Sequence, residues 1–403
     1  MNRSACFKYL ASYAEPESRS PALDRIEKVS ALLVIPAYRE RPDFLLRLDE
    51  RQFSFIDKLL VILVSNHPSD LSGDKLETAV KCHLNLLNIL PKASWTDGIL
   101  SFYRLTNIDV LLVSKIKDDA LNPKKATGLA RKIGADIGLA LINSGKCSMR
   151  WIYNTDADAN LPLDYFKVST RVPKSTAGII YPFQHVGLPG KLLEATGLYE
   201  KRLVNYVAGL KFAGSPYAHQ TLGSTIAVNG ESYANIRGFP QKSAAEDFYL
   251  INKLVKQGSV ESLEEPIIEL ESRVSDRIPF GTGPAVASLL RSTTPKQERI
   301  FYHPEVFSVL KEFLSAFNRT QKAFQNMNLS AEARNAAKQI DIDSFLKHVE
   351  SQNLQGDHYR KHFHLWFDAF RTLKFLHWLR DNHFPDVSYM QLQALDFEYQ
   401  STI

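Results

Sequence analysis

Two aspartates separated by one residue, Asp156 and Asp158, follow a mostly apolar segment from Met149 to Tyr153. Such a segment is typical of a buried strand, so both carboxylates are expected where that strand ends. In open α/β sheets, ligands bind outside the carboxyl ends of the strands. Hard divalent cations bind carboxylate oxygens together with phosphate oxygens. The pair therefore favours a site for a metal ion and a diphosphate, although Asp and Asn also end strands through local turns.

A second acidic pair, Glu246 and Asp247, lies near the start of an amphipathic segment predicted to be helical from Ser243 to Gln257. Ser243 and Glu246 have the spacing of a capping box, and the helix dipole favours acids in a first turn. That interpretation explains Glu246 better than Asp247, whose side chain points about 100° away around the helix. Asp247 is therefore a candidate for chemistry.

Continuous apolar segments rich in β-branched residues predict strands that are covered on both faces, as in a parallel sheet. The apolar positions between them recur with helical spacing and predict helices that pack on this sheet. Gly128, Gly134 and Gly138 each cost a helix about 1 kcal/mol relative to Ala, which indicates close backbone approach. The predicted strands are Ala31–Ile35, Leu59–Val64, Asp109–Ser114, Met149–Tyr153, Ala177–Tyr181 and Thr225–Asn229, and the predicted helices are Phe44–Gln52, Lys124–Asn143 and Ser243–Gln257.

Composition describes an ordinary globular chain of 403 residues, 44% of them hydrophobic, which is long enough for two to three domains. The net charge of +5 is small and dispersed, so we expect no nucleic-acid partner. Three cysteines without paired spacing favour a reducing compartment. No segment has the composition of a signal peptide or the ~20 apolar residues of a membrane span, so we predict a cytoplasmic protein.

The order of these features resembles the family 2 glycosyltransferases, whose fold is called GT-A. The resemblance covers about residues 29–285 and depends on an ordered set rather than on any one motif. The set consists of Pro36-Ala37-Tyr38-Arg39-Glu40 after the first strand, Ala130-Arg131 in a helix, Asp156-Ala157-Asp158, the Gly238-Phe239 turn and Glu246-Asp247-Phe248-Tyr249-Leu250.

The resemblance implies a Rossmann-like α/β fold with a mostly parallel central sheet, and a nucleotide-sugar site at the ends of its strands. Asp156 and Asp158 would hold the ribose and a Mn²⁺ or Mg²⁺ ion, with Asp158 as the first choice for the direct metal ligand. Arg131 would face the diphosphate. The residues implied in donor binding are Pro36, Ala37, Tyr38, Glu40, Asn66, Arg131, Asp156, Ala157 and Asp158.

By the same resemblance, Asp247 is the general base that takes the proton from an acceptor hydroxyl, which gives inversion at the anomeric carbon. A carboxylate with an ordinary pKa is ionised at neutral pH and suffices for this role. Glu246 would support the helix start or contact the acceptor. After this helix the chain departs from the family pattern, because the segment contains no histidine. Arg273 and Arg277 could bind the diphosphate and Asp276 could complete the metal shell, and the glycines after them would let the backbone approach a ligand, although such a cluster is also typical of a solvated loop.

The chain departs from the family pattern after the second strand, where Ser65-Asn66-His67-Pro68-Ser69-Asp70 stands in place of acidic residues. Asn66 or Asp70 could contact the base, and the same composition is typical of a turn. For His67 we favour the turn.

We predict three regions: an N-terminal extension (residues 1–28), a GT-A domain (29–290) and a C-terminal helical module (291–403). Helices are predicted over Phe307–Phe317, Ala331–Gln339 and Ile342–Gln352, followed by an aromatic and basic stretch from Tyr359 to Leu379. Its helical periodicity predicts a docking face for the rest of the chain or a second subunit. A peripheral membrane contact is the alternative.

The expected function is that of a metal-dependent, inverting, hexosyltransferase-like enzyme. Its partners would be a nucleotide-diphosphate sugar and a hydroxyl acceptor, which could be a glycan, a lipid-linked molecule or a small molecule. Two alternatives stay open: a noncatalytic nucleotide-sugar-binding scaffold, and a sugar nucleotidyltransferase. The second is disfavoured because Pro36-Ala37-Tyr38-Arg39-Glu40 is not a glycine-rich loop.

Overall fold

The computed structural model describes residues 3–277, 281–317 and 329–400. Contacts divide the chain into two compact units, the first formed by Met1–Val186 and Thr221–Glu271, the second by Gly187–Gln220 and Ser272–Ile403. The two units are defined by contacts alone. The domain boundaries predicted at residues 28 and 290 stay a prediction.

The elements are numbered in chain order. The strands are β1 (Ala31–Ala37), β2 (Leu59–Asn66), β3 (Trp95–Asp97), β4 (Leu100–Arg104), β5 (Ile108–Lys115), β6 (Trp151–Asn154), β7 (Ala159–Asn160), β8 (Gly178–Ile180), β9 (Phe183–Val186), β10 (Ile226–Asn229), β11 (Val260–Ser262), β12 (Ile268–Glu271), β13 (Arg299–Phe301) and β14 (Val387–Ser388). The helices are α1 (Arg3–Ser12), α2 (Asp43–Asp49), α3 (Gly73–Ile89), α4 (Ala126–Asn143), α5 (Lys191–Phe212), α6 (Gly230–Asn235), α7 (Glu246–Gln257), α8 (Thr282–Arg291), α9 (Glu305–Phe317), α10 (Ala331–Gln339), α11 (Ile342–Ser351), α12 (Gly356–Trp366), α13 (Ala369–Asn382) and α14 (Tyr389–Ala394).

A nine-stranded sheet forms the centre of the first unit, in the order β11-β8-β10-β6-β1-β2-β5-β4-β3. Seven of its nine strands run in one direction, because only β4 and β10 pair antiparallel with the strands on both sides. Helices cover the sheet, and further helices make up most of the second unit. The predicted fold class, a mostly parallel α/β sheet with an appended helical region, is confirmed.

The continuous apolar segments are strands because both of their faces are buried. All eight residues of β2 are buried, and β2 pairs in parallel with β1 and β5. Alternate side chains of these strands enter two different hydrophobic clusters, one on each side of the sheet. The three strands predicted from these segments are therefore confirmed, and each is two residues longer than predicted.

Helix α4 lies against the sheet with Gly134 and Gly138 facing the strands. A Cβ atom added at Gly134 would overlap the Val34 side chain of β1, and one at Gly138 would lie 2.9 Å from Leu32. At Gly128 it would overlap the Pro240 carbonyl. The predicted close approach is confirmed at all three positions, and protein atoms fill the space.

The N-terminal residues are tied to α4 by a buried polar cluster around Asp136, which is fully buried. Its carboxylate accepts hydrogen bonds from the hydroxyls of Tyr9 and Tyr233, both at 2.7 Å, and from the Glu15 amide at 2.8 Å. Lys132 lies 2.6 Å from it. A buried carboxylate with this many donors is compensated, so α1 packs as part of the first unit.

Helix α2 ends at Asp49, three residues before the predicted end at Gln52. Arg51 leaves the helix because its guanidinium donates to the Leu161 carbonyl and the Asn160 side chain. These tertiary hydrogen bonds are not visible in a local apolar pattern.

The aromatic stretch from Tyr359 to Leu379 forms two helices, because Asp368 begins α13 by accepting from the Phe370 and Arg371 amides. Phe363, Phe367, Phe375 and Leu379 are at most 1% exposed and pack in the cluster that contains Phe313 and Phe317. These residues are core of the second unit, and their cluster also contains Ala208 and Leu210 of α5, so the predicted packing against the rest of the chain is confirmed. Contact with a membrane or a second copy through other residues of these helices stays a prediction.

Within the three described ranges, no helix combines the length and apolar character needed to cross a membrane.

Replacing Gly134 by Ala is expected to destabilise the protein, although Ala is the better helix former by about 1 kcal/mol. The added methyl overlaps the short, stiff Val34 side chain, and overpacking a core costs roughly 1–3 kcal/mol. Gly197→Ala is the matched control, since Gly197 is also within a helix and an added Cβ there meets nothing within 4 Å. Urea denaturation should show opposite signs for the two variants, and a gain in stability for both would contradict the packing account.

Candidate active site

The two aspartates lie just beyond the carboxyl end of β6, next to β1. The Thr155 amide donates to the Val34 carbonyl at 3.1 Å, which extends the contact between the two strands past Asn154. The chain then turns, with the Ala159 amide donating to the Asp156 carbonyl, and the Glu271 amide donates to the Asp158 carbonyl at 3.0 Å. Both carboxylates are therefore held on a fixed turn and both are partly exposed.

Arg131 of α4 joins this turn to the second acidic pair. Its Nη2 donates to Asp156 Oδ1 at 2.8 Å, and its Nε donates to Glu246 Oε1 at 2.9 Å. The Arg131 and Glu246 side chains are each 5% exposed, whereas Asp156 is 32% exposed. Two acidic residues that are distant in sequence thus share one buried guanidinium.

The charge on Arg131 is stabilised by these carboxylates. Burial alone would lower the pKa of Arg131, but Asp156 and Glu246 outweigh it and raise the pKa. Nη1 is buried without a hydrogen-bond partner among the described residues. Since two of its three nitrogens bind protein carboxylates, the side chain holds protein groups together, and the contact with a diphosphate implied for Arg131 stays a prediction.

Helix α7 begins at Glu246, three residues later than predicted, because Ala245 has left-handed backbone angles of 59° and 24°. No side chain caps this helix, so the capping box predicted for Ser243 and Glu246 is wrong. Glu246 binds Arg131 instead. The capping interpretation therefore no longer accounts for this acidic pair.

Asp247, the next residue, accepts two backbone hydrogen bonds. Its Oδ1 accepts from the Phe248 amide at 2.7 Å, and its Oδ2 accepts from the Gly223 amide at 3.0 Å. A Cβ at Gly223 would overlap the Arg131 guanidinium, so only glycine fits between the two side chains. Sequence reasoning did not identify Gly223, whose only signal was a glycine shortly before a strand.

Burial of the carboxylate, together with the neighbouring charge of Glu246, raises the pKa of Asp247 to about 7. The Phe248 amide, Arg131 and the Gly223 amide act in the opposite direction but do not cancel this effect. The expectation of an ordinary pKa is wrong. A carboxylate that titrates near neutral pH is well matched to taking a proton from a hydroxyl group.

A second feature at this end of the sheet is a small cleft beside the carboxyl ends of β1 and β2. Three residues implied in donor binding line it, namely Ala37, Glu40 and Asn66, whereas Pro36 and Tyr38 do not. The other lining residues are Arg39, Phe44, Ser65, Ala79, Cys82, His83 and Leu86. His83 and Cys82 lie on α3, so no local motif near β1 could have identified them.

His67 has a structural role, as the turn interpretation predicts. Its Nδ1 lies 2.8 Å from the Pro68 carbonyl, and its Nε2 accepts from the Lys117 amide at 3.0 Å. Both ring nitrogens are thus engaged with the backbone.

Four predicted residues remain, together with the glycines that follow them. Ala157 is buried between the two aspartates. Arg273, Asp276 and Arg277 belong to the second unit, and their roles toward a diphosphate or metal stay a prediction. Gly283 was expected to let the backbone approach a ligand, but a Cβ there would overlap the Ser275 carbonyl, so a neighbouring loop already fills this space.

The described residues contain no group of three or more His, Cys, Asp or Glu side chains that could hold a metal ion. The predicted ligands are two partly exposed carboxylates, and Asp156 Oδ1 already accepts from Arg131. Mg²⁺ and similar hard cations need about six oxygens. The donor set therefore fits an open site, where water or a bound molecule supplies most of the ligands.

No family model and no curated protein matches the sequence. Among solved structures, the chain is similar to the crystal structure of S. aureus TarS, with 12% identity, a TM-score of 0.35 and coverage of 82% of this chain and 54% of that one. For the crystal structure of GalNAc-T7 with UDP, GalNAc and Mn²⁺ the values are 11%, 0.35, 89% and 58%. The chain spans little more than half of either protein, and likeness at this level assigns no function.

Replacing Arg131 by Met is expected to cost about 3–5 kcal/mol of unfolding free energy, because it leaves Glu246 charged, buried and unpaired. Urea denaturation measures the loss. Arg360→Met is the matched control, since Arg360 pairs with Asp357 at a site where the side chains are 50% and 89% exposed; a loss below about 1 kcal/mol is expected there. Adding Glu246→Leu to Arg131→Met should restore part of the stability, and equal losses for Arg131→Met and Arg360→Met would refute the account.

Asp247→Asn is expected to stabilise the protein increasingly as the pH rises. The folded-state pKa of about 7 lies above the ordinary value of 3.8, so the stability linked to Asp247 is full below about pH 4 and is lost as the pH rises through 7. Asparagine keeps an oxygen for the Gly223 amide and carries no charge.

Thermal denaturation at about pH 5 and about pH 8 tests this linkage. The midpoint of Asp247→Asn, relative to the unsubstituted protein, should be higher at the upper pH. Asp396→Asn, at an exposed position outside any helix, should show no such trend. A pH-independent difference for Asp247→Asn would rule the linkage out.

Proposed function

We propose that this chain is a metal-dependent glycosyltransferase of the GT-A type, which moves a sugar from a nucleotide-diphosphate donor to an acceptor hydroxyl with inversion. The observation that carries the proposal is the shared guanidinium of Arg131. It holds Asp156, at the end of a central parallel strand, and Glu246, the neighbour of the candidate base Asp247. The proposed transfer uses one acidic group beside the diphosphate and another beside the acceptor.

Asp247 acts as the general base. As the acceptor oxygen forms its bond to the anomeric carbon, its proton passes to the Asp247 carboxylate, and the bond from that carbon to the diphosphate oxygen breaks with the electron pair leaving on the diphosphate. Attack from the face opposite the leaving group inverts the configuration. With a pKa of about 7, Asp247 is basic enough to accept this proton and is substantially ionised above neutral pH.

The donor occupies the carboxyl end of the sheet. The base lies in the cleft lined by Ala37, Glu40 and Asn66, and the diphosphate lies toward Asp156 and Asp158. These two aspartates would hold a Mn²⁺ or Mg²⁺ ion, which supplies positive charge beside the departing diphosphate. Arg131 holds Asp156 in place through the hydrogen bond from its Nη2 to Asp156 Oδ1.

Asp158→Ala is expected to abolish metal-dependent donor binding, whereas Asp247→Asn should retain donor binding and lower the transfer rate by roughly 10²- to 10⁴-fold, the usual worth of a general base. Thermal shift with a panel of nucleotide-diphosphate sugars, with and without Mn²⁺, measures binding, because a ligand that binds the native state raises its apparent stability. Release or transfer of the sugar from the donor that binds measures turnover.

Asp396→Ala and Asp396→Asn are the matched controls, because Asp396 is exposed and outside this site; both should behave like the unsubstituted protein. Unchanged turnover in Asp158→Ala or Asp247→Asn would reject the role assigned to that residue. Tight donor binding without any sugar release in the unsubstituted protein would favour a noncatalytic scaffold.

A further inference from the structure

Two histidines on neighbouring helices of the second unit face each other through their ring nitrogens. His348 lies on α11 and His362 lies on α12. His348 Nε2 is 3.2 Å from His362 Nδ1, and the two ring planes are 26° apart. The ring centres are 5.4 Å apart, which is close to the largest separation that the nitrogen distance allows. The rings therefore meet edge to edge, with the two nitrogens directed toward each other.

The two helices are held together by buried aromatic residues beneath the histidines. Phe345, one turn before His348, stacks on Trp366 with ring centres 4.7 Å apart. Phe345 also contacts Phe363, the neighbour of His362, with ring centres 5.8 Å apart. Phe345 and Phe363 are 2% and 0% exposed, whereas His348 is exposed and His362 is half-buried. The aromatic core thus sets the spacing of the two histidines, and an ion in solution can reach them.

The facing nitrogens can become two ligands for one ion. A neutral imidazole has one nitrogen with a lone pair and one that carries a proton. Without an ion, one ring donates an N–H···N hydrogen bond to the other, and 3.2 Å is at the long end of the usual range for such a bond. When that proton moves to the outer nitrogen of the same ring, both facing nitrogens present lone pairs to the same space, and neither ring changes its charge.

The spacing fits a tetrahedral transition-metal ion. With Zn–N bonds of about 2.05 Å, two imidazole nitrogens lie about 3.3 Å apart and their ring centres about 5.2 Å apart. The observed distances agree with these values to within about 0.2 Å, so a small rotation of the exposed His348 ring suffices. Imidazole is a preferred ligand of Zn²⁺, Cu²⁺ and Ni²⁺, whereas Mg²⁺ and Mn²⁺ prefer carboxylate oxygens. The histidine pair and the two aspartates of the candidate active site therefore select different classes of ion.

We propose that His348 and His362 form a two-histidine site for a divalent transition-metal ion, with Zn²⁺ as the ion that fits and water at its remaining positions. Both histidines belong to the second unit, whereas Asp156 and Asp158 belong to the first. The bound ion joins α11 to α12 and stabilises the native state. The inference does not depend on the proposed function.

Isothermal titration calorimetry of the full chain with Zn²⁺ tests the site at about pH 8, where histidine is ordinarily neutral. Excess Mg²⁺ is present to occupy carboxylate sites. One equivalent of Zn²⁺ is expected to bind with a Kd below about 100 µM. His348→Ala and His362→Ala each remove one of the two protein ligands, so the affinity should fall at least about tenfold in both. Thermal denaturation should show a rise in midpoint with Zn²⁺ that both variants lose.

Two further histidines provide controls. His383→Ala is the matched control, because His383 is exposed and lies just after α13, outside the pair. His358 is exposed on α12 one helical turn before His362, which is the spacing of a metal-binding pair within one helix. Both His383→Ala and His358→Ala should bind Zn²⁺ as tightly as the unsubstituted protein.

Weaker binding than about 100 µM in the unsubstituted protein, or unchanged affinity in both His348→Ala and His362→Ala, would overturn the inference. Loss of binding in His358→Ala but not in His348→Ala would place the ion on α12 alone and would overturn it as well. All of these outcomes leave the proposed function standing, because donor binding with Mn²⁺ is measured separately through Asp158→Ala.

Discussion

The buried guanidinium of Arg131 is the constraint on which the candidate site depends. Its Nε and Nη2 bind Glu246 and Asp156, which stand 90 residues apart (246 − 156), and the lack of a side chain at Gly223 makes room for it. An uncompensated buried charge costs several kcal/mol. The turn after β6, the start of α7 and helix α4 are therefore held to one another, and displacement of any of them would leave a charge unpaired.

This constraint also explains why the adjacent residues Glu246 and Asp247 lie in different environments. Glu246 is buried and bound to Arg131, whereas the carboxylate of Asp247 accepts from two backbone amides and lies beside the charge of Glu246. The pKa of Asp247 is raised to about 7 as a result. When two neighbouring carboxyl groups lie in different environments, their pKa values differ, and this difference is a common basis for acid and base roles. Here Glu246 holds the site together through Arg131, and Asp247 is the residue that can exchange a proton.

The sequence predicted well those features that a local pattern determines. The strands β1, β2 and β5 and helix α4 agree closely with the structure, because burial on both faces requires continuous apolar segments and packing requires helical spacing. The antiparallel direction of β4 and β10 could not be predicted from the sequence, because the apolar pattern of one strand does not determine its pairing partners. The start of α7 was predicted too early, because the left-handed backbone of Ala245 has no signal in the composition of the sequence. Gly223 and His83 were missed because their importance arises only from contacts with distant residues.

Strand β1 relates the two parts of the site. It pairs with β2 near the cleft, where Ala37 lies opposite Ser65, and with β6 near the aspartates, where Val34 lies opposite Asn154. Adjacent strands are about 4.8 Å apart, so the ends of β2 and β6 are separated across β1 by roughly 10 Å. A nucleotide is a ligand whose base and diphosphate differ in chemistry and are kept apart by a ribose. The cleft and the acidic turn, separated by one strand of the sheet, thus have the spacing that the proposed nucleotide-diphosphate donor requires.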